Sequence, residues 1–135
     1  MADEAQQKLM IKAAKSGDAA AVRALLESDC TLVDARDSDQ STPLHFASWK
    51  GHPEVAAVLL EFGADIQARN ENGHWGDTPL HAAAHGNQRA VAELLIDKGA
   101  DVNARNAGGR TPLEETKAHK ATAVANLLKK HGAVA

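Results

Sequence analysis

Seven histidines and one cysteine are the residues with the widest chemical repertoire in this 135-residue sequence. A zinc site needs three or four ligands converging within bonding reach. His81 and His85 stand at i, i+4, one helical turn apart, but no acidic residue joins them on that face. The pattern therefore predicts no metal site and no cofactor. Cys30 lies between Asp29 and Thr31 with no base nearby in a nucleophile pattern, and it reads as a small buried turn residue. Ser41, Ser48 and Thr116 lack a Gly-x-Ser-x-Gly setting. Gly73, Gly76, Gly108 and Gly109 lack the strand, lysine and helix of a phosphate loop. Acidic residues are scattered singly. These absences predict a protein that is not an enzyme.

Recognition chemistry is better represented. Trp49 and Trp75 occupy no obvious core position, and an exposed tryptophan often anchors an interface. The alternative is internal: Trp75 folds back over Trp49 or over an alanine-rich surface of its own chain.

The elements that carry these residues recur along the chain. Thr42-Pro43-Leu44-His45-Phe46-Ala47 returns as Thr78-Pro79-Leu80-His81-Ala82-Ala83, and in weaker form as Thr111-Pro112-Leu113-Glu114. Leu59 to Asn70 matches Leu95 to Asn106, including the words Gly63-Ala64-Asp65-Ile66 and Gly99-Ala100-Asp101-Val102. Thr78 to Thr111 is 33 positions, Gly17 to Gly51 is 34 and Asn70 to Asn106 is 36. Threonine before proline is a strong N-cap with proline in the first turn. Gly51 ends the short helix and His52-Pro53-Glu54 opens a second one, whose stripe is Val55, Val58, Leu59 and Phe62. After Gly63 the chain runs extended into a projecting finger. One such unit cannot bury its own apolar face, so copies must stack. Four units fit in a single domain over 1–135: about 8–36 as an N-terminal cap, then 37–69, 70–105, and 106–135 as a C-terminal cap. Glu114-Glu115 and Lys129-Lys130 lend the last unit a solvent-facing polarity.

This period and these words closely resemble the ankyrin repeat. The resemblance covers about residues 8 to 133. It implies an all-α solenoid of helix-turn-helix units with short β-hairpin fingers. It also implies that His45 and His81 hydrogen-bond the threonine hydroxyl and the neighbouring finger, and that Trp49 faces the concave side. His74, His85 and His119 have no role in that pattern. Two departures stand out. Asn87 takes the place of the helix-ending glycine after Gly86, and asparagine tolerates the left-handed region. Asn70 to Thr78 spans 8 positions, whereas Asp37 to Thr42 and Asn106 to Thr111 each span 5, so three extra residues lie within 71–77.

Composition agrees with this frame. The 28 alanines, two Phe, two Trp and no Tyr suit closely packed helices. A net charge of -3 argues against nucleic acid or an anionic membrane as partner. A single cysteine excludes an internal disulfide. The longest apolar run, Val55 to Leu60, falls far short of the ~20 residues that span a bilayer. The acidic N-terminus lacks a signal-peptide core. A soluble, cytoplasmic monomer is expected. The fingers differ in sign: three Asp against one Arg over 34–41, two acids against Arg69 over 67–77, and two Arg over 103–110.

The resulting expectation is a protein-binding module that uses finger tips and first helices on the concave side. Its expected contacts are Arg36, Ser38, Asp39, Ser41, Trp49 and Lys50, then Arg69, Glu71, Asn72, His74, Trp75 and Asp77, and finally His85, Arg105, Ala107 and Arg110. Two other readings stay open. One is an engineered or regulatory scaffold with no partner of its own. The other is a small-molecule pocket around Trp49, Trp75 and His85.

Overall fold

The computed structural model describes residues 3–70 and 76–133. These fold into eight α-helices: α1 (Glu4–Ser16), α2 (Ala19–Ser28), α3 (Pro43–Lys50), α4 (Pro53–Glu61), α5 (Pro79–His85), α6 (Arg89–Asp97), α7 (Pro112–Ala118) and α8 (Thr122–Lys130). The architecture is an all-α repeat solenoid. The odd-numbered helices stack in one row, each against the next, and the even-numbered helices stack in a second row behind them. The first helix starts at Glu4 rather than near residue 8, because the Asp3 carboxylate accepts from the Gln6 amide at 2.7 Å and caps it.

The core repeats with the sequence. Val22/Leu26, Val55/Leu59, Val91/Leu95 and Val124/Leu128 are i, i+4 pairs, all buried on the even helices. Met10, Leu44, Leu80 and Leu113 fill the matching places on the odd helices. Buried Ala14, Ala47 and Ala83 leave no bulk between successive odd helices, which explains the alanine excess.

The threonine words form capping boxes. The Thr42, Thr78 and Thr111 hydroxyls accept from the amides of His45 (3.3 Å), His81 (3.4 Å) and Glu114 (3.3 Å). Each third-position side chain returns a bond. His45 Nδ1 and His81 Nδ1 accept from the threonine amides at 3.2 Å, as Glu114 Oε1 does from Thr111. The histidines then reach one unit further. His45 Nε2 donates to the Asp77 carbonyl at 2.7 Å, and His81 Nε2 donates to the Arg110 carbonyl at 2.8 Å. Both resemblance-based roles hold. Glu114 takes the histidine's place in the Thr111 capping box.

The fingers depart from the expected β-hairpins: among the described residues no strand forms. A backbone bond closes the base of each finger, from Asp37 to Ser41, Asn70 to Asp77 and Asn106 to Arg110, and the Gln40 and Gly109 amides return to the Asp37 and Asn106 carbonyls. Side chains take the amides that a ladder would use. Asp37 Oδ1 accepts from Asp39 and Ser41, and Asn106 Oδ1 accepts from Gly108 and Arg110. The stretch after Gly63 is also not simply extended, because Asp65 nucleates a turn by accepting from the Gln67 amide, as Asp101 does from Asn103. The three extra residues fall between the closing residues Asn70 and Asp77, so the frame on either side keeps its register.

Candidate recognition surface

A hollow of about 230 Å³ opens between two fingers and two odd helices. Asp39, Ser41, Asn70 and Asp77 line it from the fingers; His45, Phe46 and Trp49 line it from α3, and Ala82 and His85 from α5. Trp49 stands at 42% exposure, and Leu9 is the other large apolar side chain left exposed among the described residues. The Trp49 ring meets His85 edge-on at 6.3 Å, and the Lys50 ammonium sits 4.2 Å from the indole centroid.

Trp49 is held by its backbone. Its carbonyl accepts from Gln88 Nε2 at 3.1 Å. Gly86 passes so close that an added Cβ would lie 2.4 Å from that same oxygen. Gly86 has an ordinary right-handed φ of -88°, so close approach requires the glycine there, and the left-handed turn passes to Asn87 at φ 54°. The departure from the usual order thus has a packing cause.

Electrostatically the hollow is a buried polar network. Burial pushes His45 down to about 4. Burial, then the neighbouring His119, lowers His85, and burial raises Asp77. The Asp77 amide donates to Asn70 Oδ1 at 2.8 Å, and its carboxylate accepts from Asn106 Nδ2 at 3.0 Å.

Of the residues expected at a partner site, the structure gathers Asp39, Ser41, Trp49, Asp77 and His85 around the hollow, with Lys50 on the Trp49 ring. Arg36 and Ser38 line a separate groove against α1. Ala107 is exposed at a finger tip, away from the hollow. Glu71, Asn72, His74 and Trp75 lie outside the described residues, so the two readings of Trp75 concern a segment beyond them. The arginines of the Ala-Arg words have a role that the sequence reading did not assign. Arg36 Nη1 donates to the Gln40 carbonyl of its own finger (2.7 Å) and to the Arg69 carbonyl of the next (2.9 Å). Arg69 Nη1 repeats this with Gly76 (3.1 Å) and Arg105, and Arg105 ends the ladder on Gly109 at 2.8 Å. The signal was present in the sequence as a recurring Ala-Arg-Asp/Asn word.

Two sequence expectations need correction. Cys30 is exposed on a short 3-10 turn (Cys30–Asp34), because the Asp29 carboxylate claims the Thr31 amide and hydroxyl and turns the chain there. Glu115 is no solvent-facing cap residue: its side chain is 2% exposed and accepts from Asn106 Nδ2 at 3.1 Å. A converging ligand set is also present. His85, Glu115 and His119 bring one ligand atom each to within 4.8 Å of one another. The histidine pair visible in the sequence lies on one helix, whereas this set joins Glu115 of α7 and its C-cap His119 to His85 of α5.

Comparison with known proteins supports the repeat reading. The family described as "Ankyrin repeats (3 copies)" matches residues 2–70, and "Ankyrin repeat" matches residues 75–107. The chain belongs to the ankyrin-repeat family. Ankyrin repeats are in general non-enzymatic protein-interaction modules. The similar curated proteins share the repeats over part of their length. A serine/threonine-protein kinase VIK of Arabidopsis thaliana is 56% identical over 62 residues, 46% of this ankyrin chain and 14% of the kinase. A probable E3 ubiquitin-protein ligase XBOS33 of Oryza sativa subsp. japonica is 40% identical over 78 residues, 49% of this chain and 15% of the ligase. Ankyrin repeat domain-containing protein 49 of Bos taurus is 42% identical over 61 residues, 45% of this chain and 26% of that protein. The matches therefore span 14% to 26% of these relatives. Among the described residues of the ankyrin chain, no helix is long and apolar enough to cross a membrane.

Proposed function

We propose that this ankyrin-repeat chain binds a partner protein on its concave side, with Trp49 as the anchor and Asp39, Ser41, Asp77 and His85 as the polar rim. The observation that carries the reading is a half-exposed tryptophan over a preformed hollow, fixed by Gln88 on one side and Gly86 on the other. A rigid aromatic loses little entropy when it is buried, which makes it an efficient anchor. Function by this route is occupancy or scaffolding, with no chemical step. The hollow is smaller than the ~300–1,000 Å³ typical of ligand pockets, which favours a side chain of a partner over a free metabolite.

The test is affinity capture with the wild-type chain and Trp49→Ala side by side, with urea midpoints for both. A protein retained by the first and lost by the second, at equal midpoints, supports the reading. Equal capture by both, or a clearly lower midpoint for Trp49→Ala, refutes it.

A further inference from the structure

We propose that His85, Glu115 and His119 form a binding site for a divalent transition-metal ion of the zinc type, at the junction between the third and fourth helix pairs. This inference goes beyond the protein-binding reading, with which it shares His85, and has its own readout. The geometry comes first. Glu115 and His119 lie one turn apart on α7, and Glu115 Oε2 stands 3.5 Å from His119 Nε2. His85 closes the triangle from the last turn of α5, the adjacent helix of the same row. All three ligand atoms lie within 4.8 Å of one another. Around a tetrahedral ion with bonds of about 2.0–2.2 Å, neighbouring ligand atoms stand roughly 3.3–3.5 Å apart. One edge is therefore at ligand spacing already. The others close by small rotations of two partly exposed imidazoles.

The carboxylate is also prepared. Glu115 is buried, and its Oε1 is held by Asn106 Nδ2 at 3.1 Å with Arg110 Nη1 at 3.9 Å on the same oxygen. Asn106 is fixed in turn by Asp77, Gly108 and Arg110. Oε2 is left directed at His119. Outer partners that lock a ligand in this way are a regular part of metal sites. Neither imidazole takes part in a capping box. His45 and His81 serve the capping boxes, whereas the His85 and His119 rings meet at a tilt with centroids 3.9 Å apart, and Trp49 lies edge-on to His85. Two imidazoles and one carboxylate suit Zn²⁺, Co²⁺, Ni²⁺ or Cu²⁺ rather than Ca²⁺ or Mg²⁺. With three protein ligands, the fourth position stays open.

The experiment is calorimetric titration of the chelator-stripped full chain with ZnCl2, repeated with His85→Ala, His119→Ala, Glu115→Gln and the remote control His131→Ala. The expected result is one Zn²⁺ per chain, affinity at least tenfold weaker in His85→Ala and in His119→Ala, and no change in His131→Ala. Co²⁺ bound at the same site should give the strong visible absorption of tetrahedral coordination. If Glu115→Gln does not fold, the two histidine variants decide, because their side chains are partly exposed. The proposal is overturned by absence of saturable binding up to 1 mM Zn²⁺, by equal affinity in His85→Ala and wild type, or by loss of binding in His131→Ala.

Discussion

Acidification from pH 7 to pH 5 should unlock the joints between units, and His45 gives the effect a size. Its imidazole accepts from the Thr42 amide and donates to the Asp77 carbonyl, so neither nitrogen has room for the extra proton. Burial holds it near 4, against 6.5 in a solvated chain. A depressed histidine binds its proton preferentially in the unfolded state. Stability is therefore full above about pH 6.5 and falls as the pH drops towards 4. Proton linkage between those two values gives a loss of about 2 kcal/mol at pH 5 and about 3 kcal/mol at pH 4. His81, lowered chiefly by burial, acts in the same direction, and Asp77, raised chiefly by burial, opposes it. The variant His45→Gln isolates the term. Glutamine can still accept from the Thr42 amide but does not titrate. At pH 7 it should be less stable than wild type by about 1–2 kcal/mol, through the lost bond to Asp77. Urea titrations at pH 7, 6 and 5 should show that gap closing by about 2 kcal/mol. A gap that stays constant across the range would show that His45 protonates freely in the fold, and the linkage reasoning would fail.

Other outcomes follow from the same frame. Leu80→Ala should cost about 2–5 kcal/mol by urea titration, because the side chain is 1% exposed in the core, while exposed Lys50→Ala stays within ~0.5 kcal/mol; equal losses would put the register in error. Gly86→Ala should destabilise by about 1–3 kcal/mol, since its Cβ meets the Trp49 carbonyl at 2.4 Å; an unchanged or raised urea midpoint would show that the approach relaxes freely. Arg69→Lys should lower stability by roughly 1 kcal/mol, because the shorter lysine side chain does not carry its nitrogen to the Nη1 position that bonds both Gly76 and Arg105; hydrogen exchange should then speed up at the finger bases, and unaltered exchange would refute this bridging role.

The architecture was legible in the sequence because each repeat word encodes local physics. Threonine-proline starts a helix, an i, i+4 valine-leucine pair faces inward, and the same solution recurs every 33 to 36 positions, so stacking is the remaining way to bury the stripes. The role of the histidine at the third helical position came through the resemblance to the ankyrin repeat, and the bonds from His45 to Asp77 and from His81 to Arg110 agree with it. The resemblance to the ankyrin repeat implies an exposed Trp49, and the side chain is exposed. The surface chemistry was not legible in this way. Glu115 sits in a word that reads as a polar cap, and burial comes from Asn106, nine positions earlier, folding over it. His85 and His119 are 34 positions apart, and stacking of α5 on α7 brings their rings together. Gly86 looks like a helix stop, yet the glycine is required by the carbonyl of a residue one unit away. Periodicity specifies which face each residue takes within its own unit. The contacts across units depend on the offset between stacked units, which packing of side chains from both sides sets.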